Sequence, residues 1–299
     1  MKTASLFALI AAFALPMAGC VVEGEAFGEG EVGGETEVES HYAGSARTFS
    51  VAYSAGMDVH IESHFGAVRV VRGGASDTVE VTFRPFITGT AEAAAAAEAR
   101  IEAELDMSVD AEGEIDITCA REANASAELG ADIEVKLPST FSGDFAIDQV
   151  DGSVDIDLRG TSPASTTVET AGRGDIRVVG AAGAVAIATA VGNVDVDVSS
   201  WSSGRGHVHV SESGSIVVRV GAEANGTLVV NAPAGSITEP APMPGSWTPD
   251  EECDSTTGTY YIGAATGGIL DVWTHYGSVT LEGSARARVH GSIALGFPE

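Results

Sequence analysis

The chain has 299 residues, and its 43 Asp and Glu outnumber its 15 Lys and Arg, which gives a formal net charge of −28 at pH 7. This balance argues against nucleic-acid binding, because binding to phosphates requires basic surfaces. The hydrophobic fraction of 44% is ordinary for a folded chain, and the length after the N-terminal segments suffices for one elongated domain or two small ones.

Residues 1–19 are predicted to be a signal peptide. Lys2 is followed by the apolar run Leu6–Leu15, which is shorter than the ~20 residues of a transmembrane helix. Small residues just before Cys20 resemble the lipobox of bacterial lipoproteins. The resemblance implies cleavage before Cys20 and attachment of a lipid to its sulfur. The alternative is an ordinary secretory signal with a cysteine there by chance.

Residues 20–45 are predicted to be the lipidated cysteine and an acidic tether. The part from 21 to 45 contains seven glutamates and no lysine or arginine. Glycine and like-charge repulsion both oppose a compact state. We therefore expect a cell-envelope protein held to the membrane by its lipid, on the periplasmic or cell-surface side. Val21 after the cysteine favours the outer membrane.

Two further cysteines, Cys119 and Cys253, are candidates for a disulfide. An oxidising compartment allows such a bond. Their separation along the chain does not show that they are close, so two free thiols are the alternative.

Residues 46–138 are predicted to form a β-rich cap with one helix. Thr90 to Leu105 is alanine-rich, with Thr90 as N-cap and with Ile101 and Leu105 as a docking stripe. Such a cap would cover an exposed sheet edge that otherwise invites aggregation. The strands predicted around this helix are Val79–Phe83, Met107–Val109, Ile115–Thr118 and Ile133–Leu137.

A repeat of the form G-x-[Val/Ile]-x-aliphatic dominates residues 139–299. From the third copy onward the glycines are 22, 18, 22, 21, 42 and 14 residues apart, and the interval of 42 is interpreted as two turns with an insertion. Alternation with period two indicates half-buried strands, and the glycines permit tight turns. The copies begin at Gly66, Gly113, Gly152, Gly174, Gly192, Gly214, Gly235, Gly277 and Gly291, of which Gly235 begins a weaker one.

A second short strand precedes most of these glycines, so each unit of ~20 residues holds two strands and two turns. Units of near-constant length that stack on one another predict an all-β parallel β-solenoid, or β-helix, for which we expect a right-handed coil. The alternative is an antiparallel β-sandwich. The second strands are 166–170, 184–190, 207–211, 227–231 and 269–273.

Alignment of the repeats explains the acidic residues of the strands. Arg177 falls between Asp155 and Asp195, and Arg219 follows Asp197. Opposite charges on neighbouring strands stabilise a sheet, whereas a calcium site needs converging oxygens without an arginine. The pattern therefore predicts a salt-bridged outer face instead of a metal site.

Other chemistries receive less support from the sequence. Asp195 and Asp197 could meet the carboxyl spacing of a polysaccharide-active lyase or hydrolase, but nothing indicates the cleft that such an enzyme needs. His207 and His209 point to one face, and no third ligand for zinc is identified. We predict a protein that is not an enzyme and that needs no metal or cofactor.

The insertion 239–258 interrupts the repeat with four prolines, Trp247 and Cys253. Trp247 is a candidate contact for a glycan or a protein, because loops on rigid scaffolds often carry function. The alternative is that its ring packs against the sheet and that Cys253 fixes the loop.

The chain resembles a known bacterial family over most of residues 48–297. The order is GAVRVV, a helix, GEIDI, and then glycine-led strands, and the clearest piece is Val135–Pro138 followed by Phe145–Ile147. This is similar to the "putative adhesin" domains built of β-strand repeats, relatives of the head GIN domain of auto-transporter adhesins. The resemblance implies a β-solenoid outside the cytoplasm and no catalytic residues. The insertion departs from the family pattern.

We therefore expect a lipid-anchored protein with a non-enzymatic role in adhesion, binding or envelope structure. The expected partners are the membrane, through the lipid, and a glycan or a protein. The sequence does not indicate an oligomeric state.

Overall fold

The structure is a computed structural model that describes residues 41–283, apart from 74–76, 90–92, 123–124, 126–127, 182, 199–200, 202–203, 222–223, 241–246, 251–252 and 254. The predicted signal peptide, Cys20, the tether up to residue 40 and the repeat copy at Gly291 lie outside the described residues. Within this part, no helix is long and apolar enough to cross a membrane.

The described chain is all-β apart from one helix. Its first elements are β1 (His41–Ala43), β2 (Arg47–Ala52), β3 (Val59–Phe65), β4 (Val68–Arg72), β5 (Thr78–Thr88), α1 (Ala94–Glu104), β6 (Leu105–Asp110), β7 (Ile115–Arg121) and β8 (Leu129–Leu137). The central strands are β9 (Phe145–Asp151), β10 (Val154–Asp157), β11 (Ser165–Arg173), β12 (Ile176–Val179), β13 (Ala184–Val191), β14 (Val194–Asp197), β15 (Arg205–Ser213) and β16 (Ile216–Val220). The last strands are β17 (Gly226–Asn231), β18 (Ile237–Thr238), β19 (Trp247–Pro249), β20 (Thr257–Ile262), β21 (Gly268–Tyr276) and β22 (Val279–Gly283).

The strands form two large mixed sheets of eleven strands each. Sheet A has the order β1-β5-β8-β4-β10-β12-β14-β16-β22-β18, and β2 also pairs with β5. Sheet B has the order β19-β20-β17-β21-β15-β13-β11-β9-β3-β7-β6. Two sheets agree with the sandwich alternative, but the pairing between successive central units is parallel.

The central strands alternate between the sheets, with β9, β11, β13 and β15 in sheet B and β10, β12, β14 and β16 in sheet A. In sheet A, Val154 lies opposite Ile176, Ile176 opposite Val194 and Val194 opposite Ile216. The predicted register of the repeat is therefore confirmed for these units. Strands β3 and β4 join the same stack, so it begins before the predicted boundary at residue 139.

The inward positions of both sheets form one hydrophobic core. The second residue after each repeat glycine is buried in every central unit, as are its partners in sheet B such as Val168 and Ile187. Burial of a Val or Ile side chain contributes about 1.5–3 kcal/mol. The alternation of apolar and polar residues thus sets which face of each strand packs inside.

The repeat glycines from Gly152 to Gly214 stack on one another in a column. A Cβ on Gly174, Gly192 or Gly214 would lie under 3.0 Å from the carbonyl oxygen of the preceding glycine, a distance that real Cβ atoms essentially never show. Gly192 and Gly214 also have φ of +144° and +153°, which other residues rarely adopt. Glycine is therefore required here by close backbone approach as well as by the turn.

Antiparallel strands close the stack at both ends. At the N-terminal end, β5 pairs with β8 and β6 pairs with β7, while α1 buries Ala97 and Ile101. The predicted N-cap Thr90 lies outside the described residues, and Leu105 begins β6 instead of ending the helix. At the C-terminal end, β20 pairs with β17, and the amide of Ile237 donates to the carbonyl of Ser255.

The stacking order of the last units differs from the prediction. The unit at Gly277 was expected after the unit at Gly235, but β22 lies between β16 and β18. Likewise, β21 lies between β15 and β17. The outer edge of β17 is occupied by β20, which follows the insertion, so β21 pairs with the other edge of β17. We call this exchange of order the strand crossover.

Candidate binding surface

The outer face of sheet A carries the predicted charge ladder. Arg177 lies opposite Asp155 and Asp195 on the neighbouring strands, and its Nη1 is 2.9 Å from Oδ1 of Asp155. Asp155 also lies opposite Arg69 on β4. Opposite charges on adjacent strands each contribute roughly 0.2–1 kcal/mol. The carboxylates of this face thus support the sheet.

Three contacts of the ladder were not predicted. Arg219 lies opposite Asp197, yet it forms ion pairs with Asp195 and with Glu282, the latter at 2.9 Å. Asp157 accepts hydrogen bonds from Arg159 on its own chain segment, and these bonds lower the pKa of its carboxyl. Asp195 is therefore paired with an arginine on the neighbouring strand.

Arg177→Glu should destabilise the protein more than Arg177→Gln. The glutamate would place like charges opposite Asp155 and Asp195, each at a cost of roughly 0.2–1 kcal/mol, beyond the lost attraction. Urea unfolding at low salt measures both free energies, and 1 M salt should shrink the difference. Equal unfolding midpoints for the two variants would show that the ladder has no energetic role.

The outer face of sheet B carries a chain of rings. The ring centroids of His207 and His209 are 4.8 Å apart, and those of His209 and Trp273 are 6.0 Å apart. The centroid of His275 lies 5.8 Å from that of Trp273 and 4.3 Å from that of Tyr276. Tyr276 at the end is 61% exposed. We call this set the ring chain, and it consists of His207, His209, Trp273, His275 and Tyr276.

Strand alternation places His207, His209, Trp273 and His275 outside, and Tyr276 is exposed at the end of β21. Val208, Val210 and Val272 are buried, so the residues between them point away from the core. His209 lies opposite Trp273 on one side and Ala188 on the other. The small alanine leaves the ring of His209 without a bulky neighbour on β13.

The surroundings of the ring chain affect its charge. Burial lowers the pKa of His209, and the nearby His207 lowers it further, so the His209 ring is neutral at neutral pH. Asp271 lies opposite His207 and forms an ion pair of 3.3 Å with Arg205. The burial of His209 among these rings thus favours its uncharged form.

Exposed apolar side chains accompany the ring chain. All of the exposed large hydrophobic side chains identified in the described residues lie on strands of sheet B. A single exposed hydrophobic residue is normal, whereas a concentration on one face indicates an interaction surface. These residues are Val150, Val229, Tyr261, Ile269 and Tyr276.

The histidines of the H-x-H pair contribute to this surface. In the described part of the chain, no group of three or more His, Cys, Asp or Glu side chains is arranged to hold a metal. His207 and His209 instead contact each other and, through His209, Trp273. The sequence pattern identified the two histidines but not their aromatic neighbour.

The predicted binding residue Trp247 lies on β19, at the edge of sheet B, where it pairs with Ile262. The insertion is thus partly an antiparallel extension of the sheet. The side chain of Trp247 and much of residues 239–258 lie outside the described residues, so its role as a ligand contact stays a prediction.

The predicted disulfide is not formed. Cys119 on β7 and Cys253 beside β20 are both free thiols. The Sγ of Cys253 donates a hydrogen bond to the carbonyl of Thr259 on β20 and accepts one from its amide. The two strands are eight steps apart in sheet B, or roughly 38 Å at ~4.8 Å per step. A disulfide needs Cα atoms within about 7 Å of each other.

Cys253 should react with thiol reagents long before Cys119. Burial raises the pKa of the Cys119 thiol to about 12, so little thiolate forms at pH 8. Iodoacetamide labelling followed by mass spectrometry should modify Cys253 in the native chain and Cys119 only after urea unfolding. Equal labelling rates in the native chain would contradict the burial of Cys119.

Comparisons with known proteins find relatives only among solved structures, since no family model and no curated protein matches the sequence. A "putative cell adhesion protein" from Clostridium sporogenes is 8% identical, with a TM-score of 0.42 over 80% of this chain and 100% of that one. A "putative adhesin" from Bacteroides fragilis is 11% identical, with a TM-score of 0.31 over 79% and 97%. A "putative lipid binding protein" from Parabacteroides distasonis is 11% identical, with a TM-score of 0.23 over 80% and 95%. At these TM-scores the likeness carries no argument about what this chain binds.

Proposed function

We propose that the protein is a lipid-anchored β-solenoid of the cell envelope that binds a partner without catalysing a reaction. The parallel pairing of alternate strands and the glycine column support the solenoid. The sequence of residues 1–45 supports the anchor and the tether, which would hold the sheets away from the membrane.

The single observation that carries the binding role is the contrast between the two outer faces. The outer face of sheet A carries a ladder of ion pairs such as Arg177 with Asp155, whereas the outer face of sheet B carries the ring chain and exposed apolar side chains. Exposed aromatic rings are costly to leave in water and are enriched at binding sites. The outer face of sheet B is therefore the proposed binding surface.

A glycan and protein binding screen with the full chain tests this proposal. Trp273→Ala should abolish or strongly weaken any specific binding, because it removes the central ring of the ring chain. Arg69→Ala, which removes a side chain from the outer face of sheet A, is the control and should bind normally. Binding that is equal in both variants would place the site elsewhere.

The enzyme alternative has its own decisive result. Cleavage of an envelope polysaccharide that is lost in Asp195→Ala or Asp197→Ala would contradict the non-enzymatic role. If the Trp273→Ala variant kept its cleavage activity in that assay, the reaction would not depend on the ring chain.

The anchor is tested separately from the binding surface. We expect the chain to fractionate with membranes and Cys20→Ser to become soluble after export, because several acyl chains hold a protein firmly at a bilayer. A Cys20→Ser variant that still fractionates with membranes would overturn the anchor while leaving the binding role intact.

A further inference from the structure

The outer face of sheet B has a second feature beside the ring chain. Glu62 on β3, Asp148 on β9 and Glu169 on β11 occupy paired positions on three adjacent strands. The side chains of Glu62 and Asp148 are 49% and 57% exposed, and Glu169 is also exposed. We call these three residues the acidic row.

The acidic row and the ring chain lie in one line across the sheet. Glu169 pairs with Ala188, Ala188 with His209, and His209 with Trp273. The line from Glu62 to Trp273 covers five strand steps, which is about 24 Å. Rings occupy one end of this line and carboxylates the other.

The fold itself does not explain the acidic row. Like charges on directly paired positions destabilise a sheet, and sheet A avoids this by alternating Asp155, Arg177 and Asp195. The line across sheet B contains no lysine or arginine at its described positions. In the described part of the chain, the partners of the acidic row are histidines, since His60 contacts Asp148 at 2.9 Å and His64 contacts Glu62 at 3.6 Å.

The apolar part of this face extends beyond the ring chain. Beyond Trp273, the exposed side chains of Ile269, Tyr261 and Val229 continue on β21, β20 and β17. An apolar and aromatic centre with charges beside it is the composition of protein–protein interfaces. Charge complementarity then requires a partner that is basic where it meets the acidic row.

We propose that the outer face of sheet B docks an extended basic segment of another polypeptide. Lysine or arginine side chains lie over Glu62, Asp148 and Glu169, and apolar side chains of the same segment lie on the ring chain. About seven extended residues span the line of 24 Å. This inference rests on the proposed function and adds the partner class and its orientation.

The test uses the purified full chain and a fluorescent peptide of about eight residues, with lysine in one half and leucine in the other. The reference probe is the same peptide with glutamate in place of lysine. The test variant is Glu62→Gln/Asp148→Asn/Glu169→Gln. Its control is Glu134→Gln/Asp155→Asn/Asp195→Asn, which changes the net charge equally but on sheet A. Thermal unfolding of each variant confirms that it is folded.

We expect the lysine peptide to bind and the glutamate peptide not to bind. The sheet B variant should weaken binding by roughly tenfold or more, and higher salt should weaken the wild-type binding. The sheet A variant should bind nearly as the wild type does. Equal weakening by both variants would reveal attraction to the net charge alone and overturn the inference, as would absence of binding.

Failure of the basic partner can be distinguished from failure of the proposed function. If the lysine peptide does not bind but another ligand binds in a Trp273-dependent way, the binding surface stands and the basic partner is wrong. If no ligand depends on Trp273, the proposed function itself is wrong.

Discussion

Gly192→Ala should destabilise the protein by at least about 3 kcal/mol. The new Cβ would lie under 3.0 Å from the carbonyl oxygen of Gly174, and φ of +144° is unfavourable for alanine. Both costs act on backbone that is fixed by the units above and below. Urea unfolding followed by circular dichroism measures the loss.

Gly113→Ala is the matched control. Gly113 has φ of +96° but nothing within 4 Å of the position of a Cβ. Alanine at this position adds the backbone strain but no steric clash. It should therefore lower the free energy of unfolding by only roughly 1–2 kcal/mol. If the two variants lost the same stability, glycine would be required in the column by its turn conformation and not by the close approach of the backbones.

Trp201→Ala should cost about 3–5 kcal/mol, the range for removing a large buried aromatic side chain. Trp201 is fully buried at the strand crossover, and its backbone carbonyl accepts from the amide of Asn225 just before β17. A Cβ on Gly226 or Gly268 would lie 2.5 or 2.8 Å from the indole. The two glycines thus leave the space that the ring fills.

Trp201→Phe tests how much of this stability depends on the size of the ring. The smaller ring keeps part of the packing at the crossover, so we expect a clearly smaller loss than for alanine. Chemical unfolding followed by circular dichroism is the suitable measurement, because its signal does not depend on the tryptophan that is replaced. A loss for Trp201→Ala below about 1 kcal/mol would contradict the packing described at the crossover.

The repeat register could be predicted from the sequence because it depends on local signals. Each glycine marks a turn and each β-branched residue two places later marks the inward face. Those signals placed Asp155, Arg177 and Asp195 correctly beside one another. The diagonal ion pair of Arg219 with Asp195 was missed because long side chains reach positions that strand register does not specify. The pair with Glu282, which lies directly opposite Arg219, was missed because the strand crossover places β22 beside β16.

The ring chain could not be predicted because it depends on the strand crossover. His209 and Trp273 are separated in sequence by β17, which a regular stack would place between them. Only the pairing of β21 with β15 brings the two rings together. The acidic row needed no crossover, and alignment of Glu62, Asp148 and Glu169 across sheet B would have found it in the sequence.

The crossover also sets an order of events for the growing chain. The chain presents β17 before β21 during synthesis and during export, and both strands carry the alternation that pairs with the free edge of β15. A β15–β17 pairing formed at that stage has to open again to admit β21 between them. Completion of the native sheet therefore waits for residues 268–276, and a chain that stops after β18 retains a regular repeat but lacks the strand that joins its last two units.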